Sequence, residues 1–290
     1  MSYTVFTDGC SNLPTKTVSE LDIRLLPCNY TMDGVDGVYD GDLDKFDSHE
    51  FYDKLRAGSS LKTSLINTQL FIEYFAPELE KGNDVIYVGL SSGVSGTFQA
   101  AKMAAVELME QFPERVVRTV DSLGAGLGVG LLSCRAADLK KEGKTANEAA
   151  DILDEEVKRL LQFFTVDDLN FLKRTGRVSG ATAAIGTVLD IKPLLWGDPT
   201  GHIVAYKKCR GRKNSIKAIV EQFREKAVDV ENSRVAISHG DCLSEAEFLA
   251  EQVCAIAKPK ELIIAPHEPF TGAHVGPGML ALFFFGTERK

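Results

Sequence analysis

In the first part of the chain, segments with the hydrophobic pattern of buried strands alternate with segments that have the pattern of amphipathic helices. Tyr3–Thr7 is short and rich in β-forming residues, and the polar stretch Asp8–Asn12 ends it. Asp84–Leu90 is a continuous apolar run of the kind that a parallel sheet buries on both faces, and a helical pattern follows over Thr97–Gln111. This alternation predicts an α/β domain with right-handed crossovers.

The remaining elements of this region continue the alternation. Pro14 opens a short helix, and Thr145 with Glu148 forms a capping-box pattern that predicts a helix up to Leu161. The other expected elements are strands over Ile23–Met32 and Arg115–Val120 and helices over Ser48–Arg56, Asn67–Lys81 and Gly126–Glu142.

The second part of the chain has a different order of elements. A small-residue segment, Val178–Thr187, interrupts the alternation, and a glycine-rich stretch, Gly272–Gly278, precedes an apolar C-terminal run. We place the domain boundary near Leu160, which predicts an N-terminal domain of residues 1–160 and a C-terminal domain of residues 161–290. The expected strands are Phe163–Val166, Ile203–Lys207, Arg234–Ser238 and Glu261–Ala265, and the expected helices are Asp168–Arg174, Ser215–Lys226 and Ser244–Ala257.

The composition is that of an acidic globular protein. The 290 residues are 44% hydrophobic and 26% charged, with a formal net charge of -8. This argues against a general nucleic-acid binder, because such a protein needs a basic face. The longest apolar run, Met279–Phe285, is far shorter than the ~20 residues of a membrane helix, so no integral membrane segment is expected. No signal-peptide pattern is present, and a cytoplasmic location is the expectation.

Sequence motifs for catalysis or metal binding are incomplete. The six cysteines are scattered without a C-x-x-C pair, so we expect neither a zinc site nor a disulfide framework. The segments nearest to a Walker loop, a dinucleotide fingerprint and a nucleophile elbow each lack a required residue. In the elbow-like segment Gly93–Thr97, a threonine stands where the second glycine belongs. The sequence therefore predicts no catalytic residue, no metal and no cofactor.

Hydroxyl-rich loops follow several of the predicted N-terminal strands. Ser91–Thr97 offers four hydroxyl groups beside two glycines, and Lys62–Ser64 precedes another helix. In open parallel sheets, ligands bind beyond the carboxyl ends of the strands, where helix N-termini direct N–H groups outward. Such loops can hold a carboxylate or a phosphate without a fixed positive charge. The alternative is that each hydroxyl is an ordinary helix cap.

Several motifs along the chain point together to one known family. They are Thr7-Asp8, Ser11–Pro14, Lys62–Ser64, Ser91–Thr97 with Gln99, Asp121-Ser122, Leu172–Val178, Ile191–Pro193 and His274–Gly278. With these residues, in this order and spacing, the chain resembles the DegV family of bacterial fatty-acid-binding proteins along essentially its whole length.

The resemblance implies a two-domain α/β fold, with an N-terminal parallel-sheet domain and a C-terminal α/β domain that encloses a lipid tunnel. One long-chain fatty acid would lie with its carboxylate at the domain interface and its acyl chain in the tunnel. Thr63 and Ser95 would bond the carboxylate, with the Gly96 N–H and His274 close by. The chain departs from the family at Leu65-Ile66, where Gln-Pro is usual, which concerns the loop conformation around Thr63 and not its hydroxyl.

The acyl chain would contact apolar residues of the C-terminal domain. Burial contributes ~0.8 kcal/mol for each CH₂ group, so the tunnel should dominate the affinity and the head group needs only orientation. The alternative for each candidate is a place in the plain hydrophobic core. The candidates are Phe163, Phe164, Ala184, Ile185, Val188, Leu280 and Leu282.

The resemblance also implies a protein partner. Some family members present the fatty acid to a separate ATP-dependent kinase, which makes an acyl-phosphate for phospholipid metabolism. This chain is then expected to be a binding subunit and not an enzyme, with at most transient membrane contact. Arg210, Arg212 and Lys213 match a basic segment that family members use to meet the kinase, and a solvated face is the alternative.

His274 and Ser95 each have a second interpretation. A lone histidine in a loop rich in glycine and proline can be solvent-exposed, whereas beside a carboxylate its pKa would be raised and it would act as a charge partner. The competing function is a hydrolase or acyltransferase with Ser95 as the nucleophile and His274 as the base. The missing elbow glycine argues against that function, and no third residue that would orient the histidine is evident.

Overall fold

The computed structural model of the chain describes residues 2–178 and 190–289. The contacts within it divide the chain into two compact units. Unit 1 contains Met1–Phe46 and Leu61–Val157, and unit 2 contains Asp47–Ser60 and Lys158–Lys290. Unit 2 therefore includes a short segment from the first part of the chain. The domain boundary at residue 160 stays a prediction.

A four-stranded parallel sheet forms the centre of unit 1. Its strands are β1 (Tyr3–Asp8), β2 (Ile23–Leu26), β6 (Asp84–Gly89) and β7 (Val117–Asp121), in the order β2-β1-β6-β7. All three pairings are parallel. Every residue of β1 and β6 is buried, as expected for central strands that are covered on both faces. The predicted parallel α/β arrangement is confirmed.

A second, antiparallel sheet of unit 1 contains β3 (Cys28–Met32), β4 (Val35–Tyr39) and β5 (Leu61–Thr63), in the order β4-β3-β5. Asp33 and Gly34 connect β3 to β4 with positive φ angles of 50° and 85°, the combination that a two-residue hairpin turn requires. The prediction of one strand over Ile23–Met32 is wrong. The chain changes sheets at Pro27, which has no N–H for a sheet hydrogen bond.

The helices of unit 1 begin close to the positions that the sequence predicts. The capping box is confirmed, because the Thr145 hydroxyl accepts the Glu148 N–H at 3.3 Å while the Glu148 carboxylate accepts the Thr145 N–H at 2.9 Å. The helix ends at Glu156 and not at Leu161, since the apolar residues from Leu160 onward are buried in a strand. The helices are α1 (Thr15–Glu20), α3 (Thr68–Glu80), α4 (Thr97–Gln111), α5 (Leu127–Lys141) and α6 (Ala146–Glu156).

Unit 2 is built on a six-stranded mixed sheet with the order β10-β9-β8-β13-β11-β12. Of its five pairings, only that of β11 with β12 is parallel. The strands are β8 (Leu160–Thr165), β9 (Ile191–Gly197), β10 (Ile203–Arg210), β11 (Arg234–His239), β12 (Glu261–Pro266) and β13 (Leu280–Phe285). The helices are α2 (Ser48–Arg56), α7 (Asn170–Thr175), α8 (Arg212–Lys226), α9 (Leu243–Ile256) and α10 (Pro269–Val275).

The core of unit 2 is a contiguous apolar cluster between this sheet and helices α8 and α9. Phe163, Phe223 and Phe284 are fully buried in it, and their rings pack at centroid distances of 5.1–6.2 Å. Four short 3₁₀ turns lie at Gly9–Ser11, Leu43–Lys45, Val157–Arg159 and Val230–Asn232. Within residues 2–178 and 190–289, no helix is long and apolar enough to cross a membrane.

Candidate functional site

Thr63 is the last residue of β5, and the sheet fixes its backbone. It lies opposite Tyr30 of β3, and the N–H of Ser64 donates to the carbonyl of Asn29 at 3.1 Å. Thr63 is partly exposed, while Ser64 and Leu65 beyond it are exposed. The strand therefore places the Thr63 hydroxyl group beside an accessible loop. Its contact with a ligand stays a prediction.

The Ser91–Thr97 loop joins the end of β6 to the start of α4. Its backbone is held from within, because the Ser91 hydroxyl accepts the Gly93 N–H at 3.1 Å. Ser95 does the same at the helix start, where its hydroxyl oxygen accepts the Thr97 N–H at 3.2 Å. The Ser95 hydroxyl lies 3.1 Å from the Thr97 hydroxyl oxygen, to which it donates. Ser95 thus precedes the N-cap residue Gly96, accepts the first N–H of the helix and presents a partly exposed hydroxyl group at the helix N-terminus.

Two contacts link the loop after Thr63 to the start of α4. The N–H of Ile66 donates to the Thr97 hydroxyl oxygen at 3.3 Å, and the Leu65 side chain lies beside Gly96. We name the pair of segments Thr63–Ile66 and Ser91–Thr97 the hydroxyl loops. The bond from Ile66 is one that a proline at this position could not make, because proline has no N–H. Ile66, which stands where the family usually has proline, therefore adds a hydrogen bond between the two hydroxyl loops.

His274 lies in the last turn of α10, a short helix with a buried cap. Glu268 is fully buried, and its carboxylate accepts the Thr271 N–H at 2.8 Å together with the Phe270 N–H and the Thr271 hydroxyl. His267 lies 2.8 Å from the Thr271 hydroxyl through Nε2 and 3.0 Å from the Ser238 hydroxyl through Nδ1. We name residues His267–Gly278 the histidine segment. Its helix is anchored by a chain of buried hydrogen bonds.

The imidazole of His274 is neutral, whereas a charge partner for a carboxylate would be protonated. His274 is only 9% exposed. Burial lowers the pKa of His274 to about 4, and the positive charge of Arg177 is the second cause. The imidazole is therefore neutral at pH 7, so it can donate one hydrogen bond but carries no charge. It is also buried, so the solvent-exposed alternative is wrong.

Arg177 lowers the pKa of His274, a role that the sequence did not assign to it. In the structure the Arg174 guanidinium lies 4.5 Å from the centroid of the Phe171 ring, and Arg177 donates to the carbonyl of Thr175. The positive charge of Arg177 adds to the effect of burial in lowering the pKa of His274. The signal was available, because Arg177 is one of the residues that carry the family resemblance.

The basic segment of unit 2 divides into two kinds of residue. Arg210 and Lys213 are exposed. The Arg212 side chain is only 16% exposed. Two of its guanidinium nitrogens, Nε and Nη2, donate to the Glu245 carboxylate of α9 at 2.6–3.2 Å. Arg212 also lies 3.9 Å from Asp167. Arg212 therefore connects α8 to α9. The docking role of Arg210, Arg212 and Lys213 stays a prediction.

The acyl-tunnel candidates lie on both faces of the unit 2 sheet. Phe163 is opposite Leu282 in the pairing of β8 with β13, and Leu280 is two residues away on the same face. All three are buried in the cluster beneath α8 and α9. Phe164 is 9% exposed and points to the opposite face. The candidates Ala184, Ile185 and Val188 lie outside the described residues.

Two groups of side chains within the described ranges have the composition of a metal site. One consists of His49, Asp53 and Asp241 in unit 2. Arg56 donates to both carboxylates of this group, at 2.7 Å to Asp53 and 2.6 Å to Asp241. The guanidinium already supplies the positive charge that a metal ion would bring. The other group consists of Asp8, Cys10 and Cys28 in unit 1, and all three residues are buried.

The serine-nucleophile alternative gains no geometric support from the hydroxyl loops. A catalytic serine needs its hydroxyl hydrogen-bonded to a base. The Ser95 hydroxyl donates to Thr97, a neutral hydroxyl that cannot act as that base. The described Ser–His contact is instead that of Ser238 with His267, in which both residues are buried.

Comparisons with known proteins agree with this architecture over the whole chain. The family model described as "uncharacterised protein, DegV family" matches residues 2–287. A DegV domain-containing protein of Clostridium perfringens is 35% identical and covers 99% of each chain. A solved DegV family protein from Thermus thermophilus, described by its fatty acid binding, is 30% identical with a TM-score of 0.88 over 99% of this chain and 100% of that one. Bacillus subtilis DegV, a fatty acid binding protein, is 30% identical with a TM-score of 0.83 over 98% of each chain.

Proposed function

The chain belongs to the DegV family, and on that premise we propose that it binds one long-chain fatty acid. The observation that carries the proposal is full-length similarity to solved fatty-acid-binding proteins, at 30% identity for those of Thermus thermophilus and Bacillus subtilis. The hydroxyl loops supply donors of the kind that a carboxylate needs. The protein would act as a binding subunit and would perform no chemistry on the lipid itself.

Thr63 and Ser95 are the proposed donors to the fatty acid carboxylate, with the Gly96 N–H at the positive end of α4. Ser95 can turn its hydroxyl proton from Thr97 to the ligand while its oxygen keeps the Thr97 N–H. His274 is the fourth proposed partner and would donate as a neutral imidazole. Arg177 supplies a positive charge near it without a direct lysine clamp. This arrangement orients a carboxylate and leaves it easy to transfer.

The acyl chain is the proposed source of most of the affinity. A chain with more than a dozen CH₂ groups gains on the order of 10 kcal/mol from burial at ~0.8 kcal/mol per group, before the costs of ordering are subtracted. We place the acyl chain of the fatty acid in unit 2. Phe164 is the described candidate that lies outside the packed cluster under α8 and α9, so it is the preferred wall residue.

A separate kinase is the proposed consumer of the bound fatty acid. The carboxylate oxygen would attack the terminal phosphate of ATP in the kinase site, releasing ADP and leaving an acyl-phosphate. The exposed cations Arg210 and Lys213, with Lys207 and Lys208 before them, would meet an acidic surface of that enzyme. Arg212 would support the patch by holding α8 against α9.

A titration with fatty acids of increasing length tests the binding proposal. Laurate, myristate and palmitate should bind with affinity that rises by about 0.8 kcal/mol for each added CH₂ group, until the tunnel is filled. Calorimetry on lipid-stripped protein measures this slope. Affinity that does not depend on chain length would show that no acyl tunnel is used, and the proposal would then fail.

A further inference from the structure

A buried cluster of two thiols and a carboxylate lies at the carboxyl end of β1 in unit 1. Asp8 ends the strand, Cys10 lies in the following 3₁₀ turn, and Cys28 begins β3. One ligand atom from each lies within 4.8 Å of the others, and all three residues are buried. From this geometry we propose that Asp8, Cys10 and Cys28 bind a zinc ion.

The separation of the two sulfurs fits tetrahedral zinc. Cys10 Sγ and Cys28 Sγ are 3.8 Å apart. Two thiolates bound to one tetrahedral zinc ion at Zn–S bonds of about 2.3 Å lie about 3.8 Å from each other. A zinc ion can therefore enter between them with little movement of either side chain. Two thiolates and a carboxylate are ligands that zinc accepts, and they leave one position for a small external ligand.

The carboxylate of this cluster is already oriented by neighbouring donors. The Tyr87 hydroxyl donates to Asp8 Oδ2 at 2.5 Å, and the Cys10 N–H donates to Asp8 Oδ1 at 2.9 Å. Hydrogen bonds of this kind hold metal-binding carboxylates in place in zinc sites. The two cysteines release their thiol protons when they bind the metal. A divalent cation would then offset the negative charge that the protein buries at this point.

The spacing of these residues explains why sequence motifs did not predict the site. Cys10 and Cys28 are 18 positions apart, with no second cysteine near either of them. Strand β2 and Pro27 lie between them and bring the chain back beside β1. The ligand set arises from tertiary structure alone. Cys134 and Cys209 are also buried, but neither belongs to a cluster of ligand atoms within the described residues.

A bound zinc ion would also connect two elements that position the hydroxyl loops. Cys28 and Tyr30 belong to the same strand, and Tyr30 pairs with Thr63. Metal binding would thus tie the Thr63-bearing sheet to the end of β1. This consequence rests on the proposed function, whereas the metal site itself does not.

Metal analysis of matched cysteine variants tests the site. The full chain is produced in zinc-supplemented medium, purified without chelator, and measured by elemental mass spectrometry. We expect about one zinc per chain in the wild type and in the Cys134→Ser control, and almost none in Cys10→Ser and Cys28→Ser. Wild-type zinc content no higher than that of Cys10→Ser would overturn the proposal. So would an intact mass lower by two hydrogens, with a disulfide mapped between Cys10 and Cys28.

Two further measurements keep the test decisive if a cysteine variant does not fold. Cobalt added during refolding of the wild type should give thiolate charge-transfer and tetrahedral d–d absorption bands, and their absence would count against the site. Tyr87→Phe removes the donor to Asp8 but leaves all three ligands. It should retain the zinc stoichiometry while lowering zinc affinity by about tenfold, and unchanged affinity would contradict the assigned role of the tyrosine.

Discussion

The hydroxyl loops of unit 1 and the histidine segment of unit 2 present polar groups in opposite ways. The hydroxyl loops are uncharged and partly exposed, and the hydroxyl groups of Ser91, Ser95 and Thr97 bond to N–H or hydroxyl groups of the loops themselves. The histidine segment is buried almost throughout and is anchored by a carboxylate, two hydroxyls and an imidazole. The first region can reorient its donors toward a ligand, whereas the second holds one donor in a fixed place.

The two regions also differ in how burial and charge set the protonation of their polar groups. His274 is buried and subject to the positive charge of Arg177, so the pKa of His274 is lowered and the imidazole is neutral. Burial and charge do not change the protonation state of the hydroxyl loops, because hydroxyl groups do not ionise near neutral pH. Under the proposed function, these hydroxyl and imidazole groups would recognise a carboxylate by hydrogen bonds rather than by a direct ion pair.

Removal of the buried cap should have the largest effect. Glu268→Ala leaves two N–H groups and one hydroxyl of the histidine segment without their acceptor, so the free energy of unfolding should fall by roughly 4 kcal/mol. Glu148→Ala is the matched control in unit 1, where the capping box is exposed and the loss should be about 1 kcal/mol. Urea unfolding followed by circular dichroism measures both. Equal losses would show that burial does not distinguish the two caps.

The pH dependence of stability should also come from the histidine segment. The pKa of His274 is about 4 and that of His267 about 3 when folded, mainly because of burial, and both have the ordinary value of 6.5 when unfolded. As the pH falls below 6.5, only the unfolded chain takes up these protons, and stability is lost down to the folded pKa. Each histidine should contribute about 1.4 kcal/mol per pH unit within this window.

Two comparisons isolate the contribution of His274. His274→Gln should remove its share of the slope of stability against pH. A bound fatty acid should reduce the slope in the wild type, because a carboxylate near the imidazole raises the pKa of His274. The methyl ester of the same acid should not. Identical slopes with acid and ester would place the carboxylate away from the histidine segment.

Single hydroxyl deletions should weaken binding of the acid form of the ligand. Thr63→Ala and Ser95→Ala should each cost about 2 kcal/mol in palmitate affinity, since a hydrogen bond to a charged group is lost, and should change the affinity for methyl palmitate much less. Ser92→Ala is the control, because Ser92 is an exposed hydroxyl of the same loop. Calorimetry provides the values. If both variants bind palmitate like the wild type, the carboxylate lies elsewhere.

The basic segment should affect a rate and leave lipid binding unchanged. Arg210→Ala with Lys213→Ala should retain fatty acid but slow acyl-phosphate formation by the cognate kinase about threefold to tenfold at low salt. The loss should fade as ionic strength rises. Lys102→Ala with Lys141→Ala removes two exposed cations of unit 1 as a control. Arg212→Ala should instead lower the stability of the protein, because the bonds of Arg212 to Glu245 are lost. An unchanged rate of acyl-phosphate formation in the Arg210→Ala, Lys213→Ala variant would rule out the docking role.

The sequence predicted those features that depend on nearby residues. The strands β1 and β6, the capping box at Thr145 and the hydroxyl-rich loop before α4 all follow from local composition and spacing. Pro27 is a further local signal, because a proline interrupts strand pairing and the chain changes sheets there.

Features that depend on distant contacts could not be predicted in this way. The neutral state of His274 requires the burial of α10, which no local pattern reveals. Arg212 is a tie between two helices only because Glu245, 33 positions away, lies beside it. The contact of Cys10 with Cys28 likewise depends on how β3 returns to β1. Each of these residues has a role set by partners that are remote in sequence.

Native mass spectrometry of the purified protein tests the central claim of fatty acid binding most directly. The protein is purified without detergent, and its bound molecules are also extracted and identified. The account predicts a mass higher than the apoprotein by one long-chain fatty acid in most of the molecules. A spectrum that contains only apoprotein, even after incubation with palmitate and stearate, would contradict it.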